Sequence, residues 1–156
     1  MALAITTPAF TANQKIPERF SRDGANVSPQ LEWRGEPAET RSFALVMEDP
    51  DAPQGTFRHW AVYNIPAGTH RLPEGAGSHT TGGVVAVAMA TNDFGNSRYD
   101  GPQPPPGHGI HHYRFRLFAL DVAELDVPAN CEAEDVLEAA QAHALEEGDT
   151  VGVFAR

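Results

Sequence analysis

The amino-acid sequence predicts a mainly β protein: two antiparallel sheets in a Greek-key-like sandwich, with a C-terminal helix and long functional loops. Three observations lead to this fold class. Short apolar or alternating segments of strand length recur along the chain, and one segment near the C-terminus has helical periodicity. In addition, 13 prolines and 14 glycines fall mostly between these segments. Because both residue types favour turns, the connections are expected to be long and irregular.

The first two predicted strands cover residues 42–48 (SFALVME) and 59–65 (HWAVYNI). The former is a continuous apolar run. The latter alternates between two faces, so Trp60 and Asn64 are expected on the same side. Residues 84–90 (VVAVAMA) fit either a strand or a buried loop.

A further strand begins near His111 and alternates clearly. One face is expected to be apolar and the other polar. The apolar face would carry Tyr113, Phe115, Leu117 and Ala119, and the polar face His112, Arg114 and Arg116.

Residues 132–147 are predicted to form the helix, because their apolar side chains recur at helical spacing opposite an acidic face. Asn130 is the expected N-cap, and Gly148 stands where a glycine commonly ends a helix. Residues 150–154 then form a final short strand that returns to the sheet.

Length and composition limit the function. The chain of 156 residues is expected to form a single domain over residues 1–156. Its net charge of -10 argues against nucleic acid as a partner, and it has no apolar run long enough to span a membrane. The single cysteine, Cys131, excludes an internal disulfide, and the N-terminus lacks a signal-peptide pattern. A cytoplasmic location is therefore expected.

Two long connections carry the polar residues that suggest a site. Residues 47–60 (MEDPDAPQGTFRHW) leave one strand at Asp49 and enter the next at His59, so these two side chains are expected to meet at one rim. Residues 101–113 (GPQPPPGHGIHHY) lead into His111 and Tyr113, which share a strand face.

These residues leave three interpretations open: a metal site, an anion pocket, or a loop with incidental histidines. Asp49, His59 and His111 would supply three metal ligands with one open position, as in a metal-dependent hydrolase. His112 points to the opposite face, which weakens the interpretation of the histidines as a metal cluster. No serine or cysteine nucleophile stands in the candidate pocket, so no enzyme activity is expected.

The chain resembles the phosphatidylethanolamine-binding protein family, specifically its bacterial Raf-kinase-inhibitor-like branch. The resemblance rests on DPDAP followed by His59, on GPQPPPGHGIHHY, and on DGANVSPQLEW and TNDFGNSRYDGP, with a helix and a terminal strand at the C-terminus. It implies a β-sandwich with a small pocket that takes phosphate-like or carboxylate groups, including a phosphorylated head group.

The residues that the resemblance assigns to this pocket fall into two groups. The residues expected to line it are Asp49, His59, His111 and Tyr113; those expected to form its walls and rim are Asp51, Pro104, Pro105 and Gly109. The resemblance implies no cofactor and no metal.

Three positions depart from the family pattern. His112 stands where relatives usually have arginine, Gln103 where bacterial relatives commonly have cysteine, and Gln30 where a proline is usual. The four central residues are unaffected, so the pocket chemistry is expected to survive while the electrostatics of the rim differ.

The chemistry of the four central residues fits an anion. Two imidazoles and a phenol supply N–H and O–H donors, while Asp49 is expected to accept a hydrogen bond from one imidazole and to raise its pKa. Binding should therefore weaken above the pKa of the histidines. Asp51 has an alternative role, the capping of its own turn.

Further residues receive simpler interpretations. His70, His79 and His143 are expected to be solvated, His108 is a candidate rim residue, and Phe94 is expected in the core. The family also includes inhibitors of kinases and serine proteases, so a protein partner is an alternative, and residues 68–83 are a candidate contact loop. Oligomeric state does not follow from the sequence.

Overall fold

The computed structural model describes residues 2–78 and 87–156. These residues form eight strands and one α-helix, with a short 3₁₀ turn at Glu18–Phe20. The elements in chain order are β1 (Ala4–Thr6), β2 (Leu31–Arg34), β3 (Ser42–Asp49), β4 (Phe57–Pro66), β5 (Arg71–Leu72), β6 (Ala88–Met89), β7 (His111–Leu120), α1 (Ala133–His143) and β8 (Ala144–Phe154).

The strands form two antiparallel sheets. The larger sheet has the order β6-β4-β3-β7-β8, and the smaller has the order β1-β2-β5. Strands β3 and β7 pair in register from Ser42 with Leu120 to Glu48 with Arg114. The predicted fold class, mainly β with two antiparallel sheets and one helix near the C-terminus, is confirmed.

The main core lies between the two sheets. The small sheet contributes Leu31, Trp33 and Leu72, and the large sheet contributes its alternating inward residues. The predicted apolar face of β7 is confirmed, because Tyr113, Phe115, Leu117 and Ala119 all belong to this core: each is completely buried.

A second core covers the opposite face of the large sheet. Val136, Leu137 and Ala140 of α1 pack against side chains that include Val46 and Phe118. Strand β3 is therefore buried on both faces along its whole length, which explains why its sequence is a continuous apolar run and does not alternate.

Strand β4 departs from the predicted alternation at Asn64. This residue has a positive φ of 56°, and the register shifts between the pairs Phe43–Ile65 and Leu45–Val62. Ile65 consequently joins the same core as Trp60 and Val62. The side-chain oxygen of Asn64 accepts a hydrogen bond from the backbone N–H of Leu125 at 2.9 Å, which holds the irregularity in place.

The predicted boundaries of the helix are wrong at both ends. Helix α1 is capped by Glu132, not Asn130, through a reciprocal capping box with Asp135. It ends at His143, and Ala144 begins β8 directly. Residues 144–147, which were expected to be helical, pair with the C-terminal part of β7, so the final strand is longer than the predicted residues 150–154.

Two further expectations depend on the described range. Of the ambiguous residues 84–90, the first three lie outside the described residues, and Ala88–Met89 form β6. Of the candidate contact loop 68–83, residues 68–78 are described and residues 79–83 lie outside the described residues. Within residues 2–78 and 87–156, no helix has the length and apolarity needed to cross a membrane.

Gly148 lies inside β8, next to the backbone of Leu3 just before β1, so it does not end the helix as predicted. A Cβ atom built there would approach the backbone oxygen of Leu3 to 2.3 Å. We expect Gly148→Ala to lower the free energy of unfolding by about 1–3 kcal/mol, because backbone must move to admit the methyl group. Urea unfolding would measure this change.

Gly68→Ala is the matched control, because a Cβ atom at Gly68 meets nothing within 4 Å. Its effect should stay within about 0.5 kcal/mol. Equal effects of the two substitutions would show that contact with Leu3 does not constrain Gly148.

Candidate functional site

A cavity of about 170 Å³ opens at the end of the large sheet where β3 stops and β4 and β7 start. Antiparallel pairing brings these three strand ends together, so residues far apart in the sequence meet there. The lining residues are Asp49, Ala52, Pro53, Phe57, His59, Phe94, Gln103, Pro104, Pro105, His111 and Tyr113.

Asp49 and His111 form the buried centre of the site. The Nδ1 atom of His111 lies 2.7 Å from Oδ2 of Asp49, and the two residues are 1% and 3% exposed. The other carboxylate oxygen of Asp49 accepts the backbone N–H of Asp51 at 2.8 Å. Asp49 therefore fixes the ring orientation of His111 and holds its proton on Nδ1, as the sequence predicted for one of the two imidazoles.

His108 occupies the other ring nitrogen of His111. Its Nδ1 atom lies 2.5 Å from Nε2 of His111, and the two ring centroids are 4.8 Å apart. His108 is exposed and is not among the lining residues of the cavity, so its place at the rim stays a prediction. Both nitrogens of the His111 ring are thus engaged by the protein itself.

His59 is oriented by a backbone carbonyl. Its Nδ1–H donates to the carbonyl oxygen of Asp100 at 2.8 Å. Burial lowers the pKa of His59, against the smaller opposing effects of that hydrogen bond and of Asp49. His59 is therefore neutral near pH 7, and its Nε2 atom is a hydrogen-bond acceptor. This differs from the expectation that both imidazoles supply donors.

Tyr113 is completely buried beside His59, with the two ring centroids 5.3 Å apart. Among the described residues, its hydroxyl has no hydrogen-bond partner. Burial and the neighbouring Asp49 carboxylate raise the pKa of Tyr113, so the hydroxyl keeps its proton. An uncharged donor without a well-formed hydrogen bond therefore stands at the cavity, next to the Asp49 carboxylate and the backbone of Gln103.

The remaining wall of the cavity is apolar. Phe57 and Phe94 contact His59 edge-on, with ring centroids 5.1 and 5.3 Å from the imidazole. The prediction of Phe94 as a core residue is wrong, since its ring lines the cavity. Pro104 and Pro105 stand in the wall as expected.

Two of the predicted site residues lie outside the cavity. Asp51 faces the outer side of the sheet, where it accepts hydrogen bonds from the backbone N–H and the ring Nδ1 of His112 at 2.8 and 2.7 Å. Although partial burial raises the pKa of Asp51, these bonds lower it overall. Gly109 lies in the exposed loop with a φ of 93° and does not line the cavity. His112 thus pairs with Asp51.

Asp100 is a second buried carboxylate, which sequence reasoning did not single out. It accepts hydrogen bonds from the side-chain amides of Asn26, Asn92 and Asn96 at 2.8–3.0 Å. Burial raises the pKa of Asp100, but these amides and Arg98 lower it overall. These hydrogen bonds hold the backbone at Asp100, whose carbonyl oxygen orients His59. The signal in the sequence was a pair of stretches: TNDFGNSRYDGP, in which most of these residues occur, and DGANVSPQLEW, which contains Asn26.

Arg22 joins this cluster to the cavity wall. Its guanidinium lies 4.1 Å from the centre of the Phe94 ring, and its Nη1 donates to the side-chain oxygen of Gln103 at 2.9 Å. Its Nε atom also lies 3.5 Å from the Asp100 carboxylate. Arg22 therefore supports the wall from behind, while the described lining contains no lysine or arginine.

The hypothesis of a metal centre finds no suitable geometry in the described part of the chain. No group of three or more histidine, cysteine, aspartate or glutamate side chains there is placed to hold a metal ion. Both ring nitrogens of His111 already have partners, as described above. Of the other described histidines, His70 is exposed and pairs with Glu36, and His143 is half-buried and pairs with Asp121; His79 lies outside the described residues.

Comparisons with known proteins show the family and the fold of the chain. The family model described as phosphatidylethanolamine-binding protein matches residues 6–155. A UPF0098 protein of Methanothermobacter thermautotrophicus is 42% identical over 155 residues, which cover 97% of this chain and 98% of that protein. The crystal structure of Escherichia coli YbcL, described as a new member of the mammalian PEBP family, superposes with a TM-score of 0.95 at 29% identity, covering 100% of this chain and 99% of that chain.

A third relative bears on location. The putative lipoprotein LppC of Mycobacterium tuberculosis is 38% identical over 155 residues, covering 97% of this chain and 72% of that protein. Because a relative carries this name, the cytoplasmic location of the present chain stays a prediction.

The Asp100 cluster predicts a specific loss of stability. We expect Asp100→Asn to lower the free energy of unfolding by about 2–4 kcal/mol near neutral pH. The amide group of the new asparagine would point N–H donors at the N–H donors of the surrounding asparagines, and the negative charge would be lost. The pKa of Asp100 is lower in the folded state than in the unfolded state, where it is about 3.9. The carboxylate therefore stabilises the fold fully above the unfolded-state pKa, and this contribution is lost as the pH falls through the folded-state pKa. Urea unfolding at several pH values would measure the difference.

Asp126→Asn serves as the control, since Asp126 is exposed. It should change stability by less than about 0.5 kcal/mol. A difference between wild type and Asp100→Asn that persists unchanged at acid pH would contradict the assigned role of the carboxylate.

Proposed function

Because this chain belongs to the phosphatidylethanolamine-binding protein family, we propose that its histidine-lined cavity binds a small phosphate- or carboxylate-bearing ligand. The observation that carries the proposal is the hydroxyl of Tyr113, a buried donor that makes no well-formed hydrogen bond among the described residues and has the Asp49 carboxylate and the backbone of Gln103 as polar neighbours. Leaving such a group unpaired is unfavourable by about 1–3 kcal/mol, and a ligand oxygen would relieve that penalty.

The size of the cavity supports a small head group. At about 170 Å³ it has the liquid volume of roughly five to six water molecules, at about 30 Å³ each. A phosphate group has five heavy atoms and fits this space. The apolar rings of Phe57 and Phe94 beside it suit an organic substituent on the anion.

The electrostatics of the cavity require a proton to accompany the anion. Asp49 contributes a negative charge, His59 is neutral, and the described lining has no permanent cation. A bound anion close to His59 would favour the imidazolium form, whose Nε2–H then donates to the ligand. Alternatively, a hydrogen phosphate group brings its own proton to Nε2. Either route makes binding stronger as the pH falls.

The residues that line the cavity favour ligand binding without covalent turnover. The described lining residues include no serine, threonine or cysteine that could act as a nucleophile. A regulatory protein partner, including a role as a kinase or protease inhibitor, stays a prediction.

The pH dependence of binding tests the proton requirement. We expect the affinity for inorganic phosphate to fall roughly tenfold between about pH 5.5 and about pH 8, because the lowered pKa of His59 places its protonation in the acid range. Isothermal titration calorimetry in buffers of different ionisation enthalpy would report both the affinity and the proton uptake. Sulfate, whose charge is constant over this range, separates protonation of the protein from that of phosphate. Affinities for both anions that do not change with pH would overturn the proposal.

A second test compares two buried tyrosines. Tyr113→Phe should weaken phosphate binding by about five- to tenfold, yet stabilise the ligand-free protein by about 1 kcal/mol, because it removes an unpaired buried hydroxyl. Tyr99→Phe is the matched control: its hydroxyl donates to the Phe20 carbonyl at 2.7 Å, so its loss should destabilise the protein by about 1–2 kcal/mol. Calorimetric titration and thermal unfolding would measure both variants. Destabilisation by Tyr113→Phe would show that its hydroxyl is already satisfied in the free protein.

A further inference from the structure

The side chain of His108 occupies the ring nitrogen of His111 that a ligand could otherwise use. His111 has two ring nitrogens: Asp49 engages Nδ1 at 2.7 Å, and His108 engages Nε2 at 2.5 Å. A ligand oxygen that is to accept a hydrogen bond from His111 must therefore take the place of His108. Asp49 is buried and bonded to the backbone, so it is not the partner that leaves.

The contact between the two imidazoles holds one proton. Either His108 donates its Nδ1–H to a neutral His111, or a protonated His111 donates its Nε2–H to His108. If both facing nitrogens carried hydrogen, two N–H groups would meet, and the contact would break. A ligand oxygen at Nε2 of His111 likewise needs one hydrogen between the two atoms, carried by the imidazole or by the ligand, and it can take this place only after His108 has moved away.

The loop that carries His108 can move without disturbing the sheet. Gly107 and Gly109 flank the histidine with φ values of 75° and 93°, and a Cβ atom at either position would meet nothing within 4 Å. Two backbone hydrogen bonds hold the turn: Gly107 N–H to the Arg156 oxygen and His108 N–H to the Pro105 oxygen, both at 3.1 Å. The side chain of His108 is exposed, so water is available to replace its bond to His111.

We propose that His108 is an internal competitor of the ligand, a displaceable side chain that occupies the anion-binding nitrogen of His111 until an anion replaces it. This inference rests on the proposed anion binding. It adds a regulatory step, in which the stability of the 107–109 turn sets the affinity of the site.

Several titratable groups surround this contact from the adjoining elements. Asp49 of β3 bonds to His111, and Asp51 is close enough to interact with it electrostatically. His59 of β4 and Tyr113 of β7 share the cavity. Arg156, after β8, touches the turn through its backbone oxygen, while its side chain pairs with Asp23. Within the hydrogen-bonded chain of Asp49, His111 and His108, the first two residues are buried and His108 is exposed, so His108 is the member that can leave.

Calorimetric titration with inorganic phosphate tests the competition. His108→Ala should bind phosphate about three- to tenfold more tightly than wild type, which is the gain expected when one hydrogen bond no longer has to be broken. His143→Ala is the matched control, because His143 is a solvent-accessible histidine paired with Asp121 away from the cavity. Unchanged or weaker binding by His108→Ala would overturn the inference.

A second variant leaves the imidazole in place. Gly109→Ala puts a side chain on a residue in the left-handed region, which disfavours the turn that brings His108 to His111. It should also raise the affinity for phosphate. If Gly109→Ala lowers the affinity, the closed turn is part of the binding site and not a competitor.

A measurement without ligand separates this inference from the proposed function. The imidazole nitrogen chemical shifts of His111, observed by NMR, should change when His108 is replaced by alanine. If they do not change, His108 does not occupy Nε2, and the inference is wrong whether or not phosphate binds. If they change but neither protein binds phosphate, the proposed function fails and the competition fails with it. If wild type binds phosphate and His108→Ala gains nothing, only the competition fails.

Discussion

The hydrogen bond between Asp49 and His111 is the interaction on which the site depends. It joins the end of β3 to the start of β7, just beyond the last paired residues of the two strands. A carboxylate this deeply buried is tolerated because the imidazole and a backbone N–H satisfy its oxygens. The same bond decides which nitrogen of His111 remains for other partners. It also places a negative charge beside Tyr113, so the phenol stays protonated.

The two buried carboxylates serve the two histidines in different ways. Asp49 acts through its side chain and presents a charge to His111. Asp100 acts through its backbone carbonyl, which accepts the Nδ1–H of His59, while its charged side chain is taken up by three asparagine amides and two arginines. His59 therefore faces the cavity uncharged. Because this division leaves the described lining without a permanent cation, the proposed ligand is an anion that arrives with a proton.

Much of the site followed from strand periodicity. Alternation along β7 separates His111 and Tyr113 from His112, and the structure places the first two in the cavity and His112 against Asp51 on the outer face. The ends of the connection that follows β3 met as expected, since Asp49 and His59 line one cavity. Asp51 and Gly109 were misplaced, because a resemblance in sequence does not say which way a turn residue points.

What the sequence determined by itself is the long strands of the larger sheet, the helix and the residues that could meet, because period-two and helical patterns are written locally in the chain. The three short strands of the smaller sheet, β1, β2 and β5, were not predicted. Tertiary structure decided the rest. Residues 144–147 continue a helical pattern, yet they form a strand because pairing with β7 satisfies their backbone groups. The hydrogen-bonding roles in the cavity depend on partners distant in the chain, 62 residues away for His111 with Asp49 and 41 for His59 with Asp100. A local pattern cannot specify which nitrogen carries hydrogen when the group that selects it arrives only with the folded chain.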